Sequence, residues 1–63
     1  MALSDVKKLV AEKFGWNTTD IFYLFYLTTD KDHFSYYLVY KNHCIRNVIA
    51  LDELNGCVSN IWS

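Results

Sequence analysis

Val6, Leu9, Val10 and Phe14 recur at helical spacing, with Lys7, Lys8, Glu12 and Lys13 set between them. That pattern predicts an amphipathic helix over residues 4–14, one stripe apolar and the other face solvated. Ser4 is the expected N-cap, and Asp5 lies in the first turn, where a carboxylate complements the helix dipole. Gly15 stands where a left-handed residue would end the helix, with Trp16 folding back on the last turn. From Ile21 onward the apolar period falls to two, and aromatic and β-branched residues dominate, which is strand chemistry. Turn clusters at 30–33, 42–43 and 52–56 divide that stretch into four strands. The expected fold class is therefore α+β: one N-terminal helix packed on a four-stranded antiparallel β-sheet, an α-β-β-β-β meander in a single domain over residues 1–63.

Turn lengths then assign faces. A two-residue turn at Asn42-His43 sets Tyr40 opposite Ile45, Leu38 opposite Asn47, Tyr36 opposite Ile49 and Phe34 opposite Leu51. A four-residue turn at Asp30–His33 sets Tyr23 opposite Tyr40, Phe25 opposite Leu38 and Leu27 opposite Tyr36. The helix-covered face would thus hold Ile21, Tyr23, Phe25, Leu27, Phe34, Tyr36, Leu38, Tyr40, Ile45, Ile49 and Leu51, with Asn47 as its one misfit. For the last strand a four-residue turn sends Val58, Asn60 and Trp62 inward and a five-residue turn sends Cys57, Ser59 and Ile61 inward; the four-residue turn, which buries Trp62, is the preferred reading. The outer face would carry Phe22, Leu24, Tyr26, Tyr37, Val39 and Val48, with Lys41 and Arg46 at its rim. A solvated antiparallel face is ordinarily polar, so a contiguous apolar patch there marks an interaction surface. The chain has no proline, which leaves the sheet edges without one of their usual guards.

The balance of 6 Lys+Arg against 7 Asp+Glu gives a net charge of −1, which supplies no long-range attraction to duplex DNA. With hydrophobic residues at 52% and charged residues at 21%, the chain should fold. At 63 residues it does so in a marginal regime. Size scaling gives about 4,200 Å² of exposed surface and burial of about 60% of what the unfolded chain exposes. The hydrophobic gain, about 98 kcal/mol, then only matches about 95 kcal/mol of ordering entropy. A chain in this position gains from a disulfide, a metal or a partner surface. The start of the chain lacks a basic, apolar leader, and the longest apolar run, Ile21 to Leu27, is too short to span a bilayer. A cytoplasmic protein without membrane contact is the expectation.

Candidate chemistry is sparse. Cys44 and Cys57 fall on neighbouring strands displaced by roughly 20 Å, beyond disulfide reach, and are expected as free, at least half-buried thiols. His33, His43, Cys44 and Cys57 lack zinc-ligand spacing. Asp30-Lys31-Asp32-His33 opens like a calcium loop without its glycine or closing glutamate, and reads as a hairpin turn. No nucleophile faces this Asp/His pair, so neither an enzyme nor a cofactor is expected. Asn17-Thr18-Thr19 reads as an Asx-type turn leading into the first strand.

The segments Tyr37-Leu38-Val39-Tyr40 and Val48 to Val58, preceded by one helix, resemble the PepSY type of small domain. There an extended strand ends in Asp, with Gly four residues on and Val two beyond; Asp52, Gly56 and Val58 match, and Asn55 stands where Thr is common. The resemblance implies a non-catalytic module that contacts or restrains another protein.

Together these readings lead to the expectation of a non-enzymatic protein-binding module, a stoichiometric inhibitor or adaptor of the kind phages direct at host machinery. It would dock on a protein partner through Phe22, Leu24, Tyr26, Tyr37, Val39, Lys41, Arg46 and Val48, or form a homodimer through them. The alternative is a single-stranded nucleic-acid platform on the same face, with bases stacked on the rings and Lys41 and Arg46 on phosphate.

Overall fold

The computed structural model describes residues 2–62. Helix α1 (Leu3–Phe14) is followed by a 3₁₀ turn (Thr18–Asp20) and strands β1 (Ile21–Thr29), β2 (Phe34–Lys41), β3 (Ile45–Asp52) and β4 (Cys57–Trp62). The strands form one antiparallel sheet in the order β1-β2-β3-β4, with the helix on one side. The exposed surface of 4138 Å² agrees with the size-scaling expectation.

The helix starts earlier than expected. The N–H groups of Asp5 and Val6 both reach the Ala2 carbonyl, at 3.0 and 3.1 Å, so Ala2 is the N-cap and Ser4 lies within the first turn. No side chain caps this end. The other end stops as expected. Gly15 takes φ 74°, the Trp16 N–H bonds the Ala11 carbonyl at 2.8 Å, and the Trp16 ring stacks on Phe14 at 4.4 Å. In the approach to β1, the Asn17 N–H donates to the Asp20 carboxylate at 3.3 Å.

The β2–β3 connection overturns the expected faces. It has three residues, Asn42 to Cys44, with Asn42 at φ 56°, a left-handed conformation that asparagine tolerates. The Asn42 N–H also bonds the Asp20 carbonyl at 2.7 Å, which ties the turn to the approach to β1. The extra residue slips the pairing by one: Lys41 faces Ile45, Val39 faces Asn47, Tyr37 faces Ile49 and Ser35 faces Leu51. Slipping by one turns a strand over, so Tyr37 and Val39 lie beneath the helix, while Phe34, Tyr36, Leu38 and Tyr40 face away. β1 follows β2. Tyr23 faces Tyr40 and Phe25 faces Leu38 as expected, but both rings now point away from the helix. A bulge at Phe22 returns Ile21 to the core, and a second at Leu27 sets Thr28, in place of Leu27, opposite Tyr36.

The core comprises Val6, Val10 and Ala11 of the helix with Ile21, Tyr37, Val39, Ile49, Leu51 and Val58 of the sheet. From β2, a valine and a single phenol join these helix residues in the core. Turned the other way, β2 would bury the hydroxyls of both Tyr36 and Tyr40. The cost of the observed side is Ser35, which is buried but bonded to Thr29 (2.9 Å) and Glu53 (2.8 Å). In β4, Val58 faces the helix and Asn60 shares its side by alternation. A register shift between Val48 and Ile49, which leaves Ile61 unpaired, turns Trp62 away from the core, contrary to its expected burial.

Candidate functional site

A 12-residue helix is about 18 Å long and about 10 Å wide, whereas the sheet spans roughly 19 by 27 Å. One helix shelters part of one side. Among the described residues no element covers the other side, and alternation from the pairing places Tyr23, Phe25, Tyr36, Leu38, Tyr40, Val48 and Trp62 on it. Tyr23, Phe25 and Trp62 are each about half exposed, at 49, 47 and 51%. This uncovered face is the candidate site.

Its rings hold one another. Tyr23 stacks on Phe25 at 5.1 Å and meets Tyr40 edge-on at 6.4 Å, geometries in which aromatic pairs attract. Phe22, thrown out by its bulge, packs against Tyr23 at 4.5 Å and His43 at 3.9 Å. The surface between them is an open depression of about 310 Å³ lined by Phe22, Tyr23, Phe25, Leu38, Tyr40 and His43. Tyr40 also borders a second hollow with Cys44, Ile45, Arg46 and Trp62, where the Arg46 guanidinium lies 5.1 Å from the Trp62 ring centre. The face is thus a ridge of rings between two hollows.

Charge is sparse on it. The strands contribute one cation, Arg46, and one anion, Asp52, toward opposite ends of β3. The Asn55 side-chain amide donates to Asp52 at 2.8 Å, and with the N–H groups of Leu54 and Asn55 it holds the carboxyl below its usual value. At the neighbouring turn, Asp30 accepts the Tyr36 hydroxyl at 2.7 Å together with the N–H groups of Asp32 and Phe34. The hydroxyl bond is the main cause that lowers the Asp30 carboxyl and raises the Tyr36 phenol. Beneath the helix, burial raises the Tyr37 phenol, helped by Glu53 and Tyr26.

The expected outer-face set is scattered by the register. Tyr37 and Val39 are core residues, 4 and 0% exposed, and Leu24 packs half-buried against that core. Tyr26 is exposed but pairs with Tyr37 on the helix side, its ring 5.6 Å away and its hydroxyl on Thr29. Lys41 also lies on that side, its ammonium 5.3 Å from the Trp16 ring centre. Only Val48 and Arg46 stand on the uncovered face as expected, with Phe22 at its edge. The rings missed are Tyr23, Phe25, Phe34, Tyr36, Tyr40 and Trp62. Alternation groups the first five correctly, and the length of the β2–β3 turn reverses the side to which the group points.

Both cysteines are free and exposed, a correction to their expected burial. Among the described residues no group of three or more His, Cys, Asp or Glu side chains converges on a metal position. No described helix is long and apolar enough to cross a membrane. Comparison with family models, with curated proteins and with solved structures finds no match. The Asp52–Gly56 segment closes as a turn through its own bonds, the Gly56 N–H meeting the Asp52 carbonyl at 2.7 Å and Gly56 taking φ 69°. These bonds account for the Asp and Gly of the PepSY-like pattern.

Proposed function

We propose that this protein is a non-enzymatic protein-binding module that acts by burying the uncovered face of its sheet against a protein surface. The observation that carries this is the set of half-exposed rings, Tyr23, Phe25 and Trp62, on one side with Leu38, Tyr40 and Val48, a side that no element among the described residues covers. Patches of this kind on small domains are contact surfaces. Because the rings already stack on one another, little side-chain entropy remains to be lost on docking. A module this small acts by occupancy, as a stoichiometric inhibitor or adaptor, and the resemblance to PepSY domains implies the same kind of role. The nucleic-acid alternative has less support: Lys41 and Arg46 lie on opposite sides of the sheet, and Arg46 is the one strand cation beside the rings.

The test expresses a tagged chain together with an untagged copy in the source cells and compares co-purifying proteins, the untagged copy included. Wild type and Lys8→Glu should retain the same protein in fixed ratio, and Phe25→Lys should lose it while its far-ultraviolet spectrum stays folded. Equal retention by Phe25→Lys would place the contact elsewhere and end this reading.

A further inference from the structure

The occupant of the uncovered face can be narrowed by area and by charge. Tyr23, Phe25 and Trp62 are each about half exposed, and at roughly 150–250 Å² per ring they present about 300 Å². The half-buried Leu38, Tyr40 and Val48 bring the apolar area to about 450 Å². One side of a standard interface is about 800 Å², of which about 57% is apolar, so this face holds what one side of a stable interface needs.

Arg46 and Asp52 stand six positions apart on β3, about 20 Å, with the same parity. A two-fold axis crossing the strands at the level of Ile49 reverses β3 of a second copy, and brings Arg46 over Asp52 of that copy twice. The same operation brings Tyr36 over Leu38 and Phe34 over Tyr40 of the second copy, because Tyr37 is the β2 partner of Ile49. The one cation and one anion the strands place here are then both matched, and Tyr36 meets an aliphatic side chain while Phe34 meets a second ring. Aligned sheets pack face to face about 10 Å apart, so the result is a four-on-four sandwich with a helix on each outer side.

We propose that the uncovered face is closed by a second copy of this chain, packed face to face about that axis, with Arg46 of each copy opposite Asp52 of the other. This rests on the reading of the face as a protein-contact surface.

The test is sedimentation velocity from low-micromolar to high-micromolar concentration, with binding of an apolar fluorescent dye measured alongside. Wild type should sediment as a dimer. Phe25→Asp should be a folded monomer, judged by its far-ultraviolet spectrum. Arg46→Glu should weaken the dimer at least about tenfold at low salt, because it sets like charges opposite each other at two places. Adding Asp52→Asn, which keeps the oxygen that accepts the Leu54 N–H, should recover most of that loss. A wild-type monomer that binds dye, with binding lost in Phe25→Asp, overturns the dimer and leaves the face to a foreign protein. A wild-type monomer whose dye binding is indifferent to Phe25→Asp overturns both readings. A dimer that survives Phe25→Asp overturns the face-to-face arrangement, and one indifferent to Arg46→Glu overturns the axis.

Discussion

Asn47 offers the sharpest test of the core. It is 4% exposed, lies opposite Val39, and leaves its side-chain oxygen enclosed without a hydrogen-bond partner. Its side-chain nitrogen reaches only the Asn60 oxygen, at 3.5 Å, a weak contact. A buried carbonyl left unpaired costs about 1–3 kcal/mol. Asn47→Val removes that oxygen, fills the place with a branched side chain suited to a central strand, and gives the helix a methyl surface to pack on. The expected result is a gain of about 1–2 kcal/mol, against a total of roughly 3–9 kcal/mol for a domain of this length. In thermal terms this is about 5–15 °C. Urea unfolding followed by circular dichroism at one low protein concentration should show a higher midpoint with an unchanged slope. Asn47→Asp, which buries a charge at the same place, should lower the midpoint. A lower midpoint for Asn47→Val would mean that the amide is engaged in bonds that stabilise the fold, and the reasoning from an orphaned oxygen would fail.

Two further predictions address the register and the turn. Val39→Ala removes two buried methyl groups and should cost about 2 kcal/mol, whereas Leu38→Ala, on the half-buried side, should cost about half as much in the monomer. Chemical denaturation ranks the pair, and the reverse order would restore the two-residue turn. The Asp30 carboxyl is held below its ordinary value of 3.8, so its contribution is complete above 3.8 and is lost as pH falls through the lower folded value. Asp30→Asn should therefore flatten the acid limb of the stability profile. Tyr37 has the opposite sense: its phenol is raised above 10.0, so its contribution is present below 10.0 and is lost as pH rises through the higher folded value. Tyr37→Phe should flatten the alkaline limb, and an unchanged limb in either variant would refute its assignment.

The elements were legible because their signals are local. Val6, Leu9, Val10 and Phe14 mark the helix, Gly15 its stop, and the clusters at 30–33 and 52–56 bound three of the four strands where they are found. The start at Ala2 was not legible, because a backbone carbonyl does there what a serine hydroxyl was expected to do. The candidate site was legible in kind and inverted in detail. Both sides of β2 are apolar, Phe34, Tyr36, Leu38 and Tyr40 against Tyr37 and Val39, so hydrophobicity does not choose between them. The observed side goes with the three-residue turn at the left-handed Asn42 and with the hydrogen bond from Ser35 to Glu53. The second is a tertiary fact that residue spacing does not encode.

Strand β1 is an edge of the sheet, and its pairing shifts at Phe22 and again at Leu27. Each shift breaks the straight row of amides and carbonyls that an incoming strand would need to extend the sheet sideways. At the opposite edge, the irregularity at Ile61 does the same near the end of β4. A chain rich in aromatic strands and free of proline would otherwise invite fibril growth by strand-by-strand addition. These kinks interrupt both free edges and work against open-ended addition of strands.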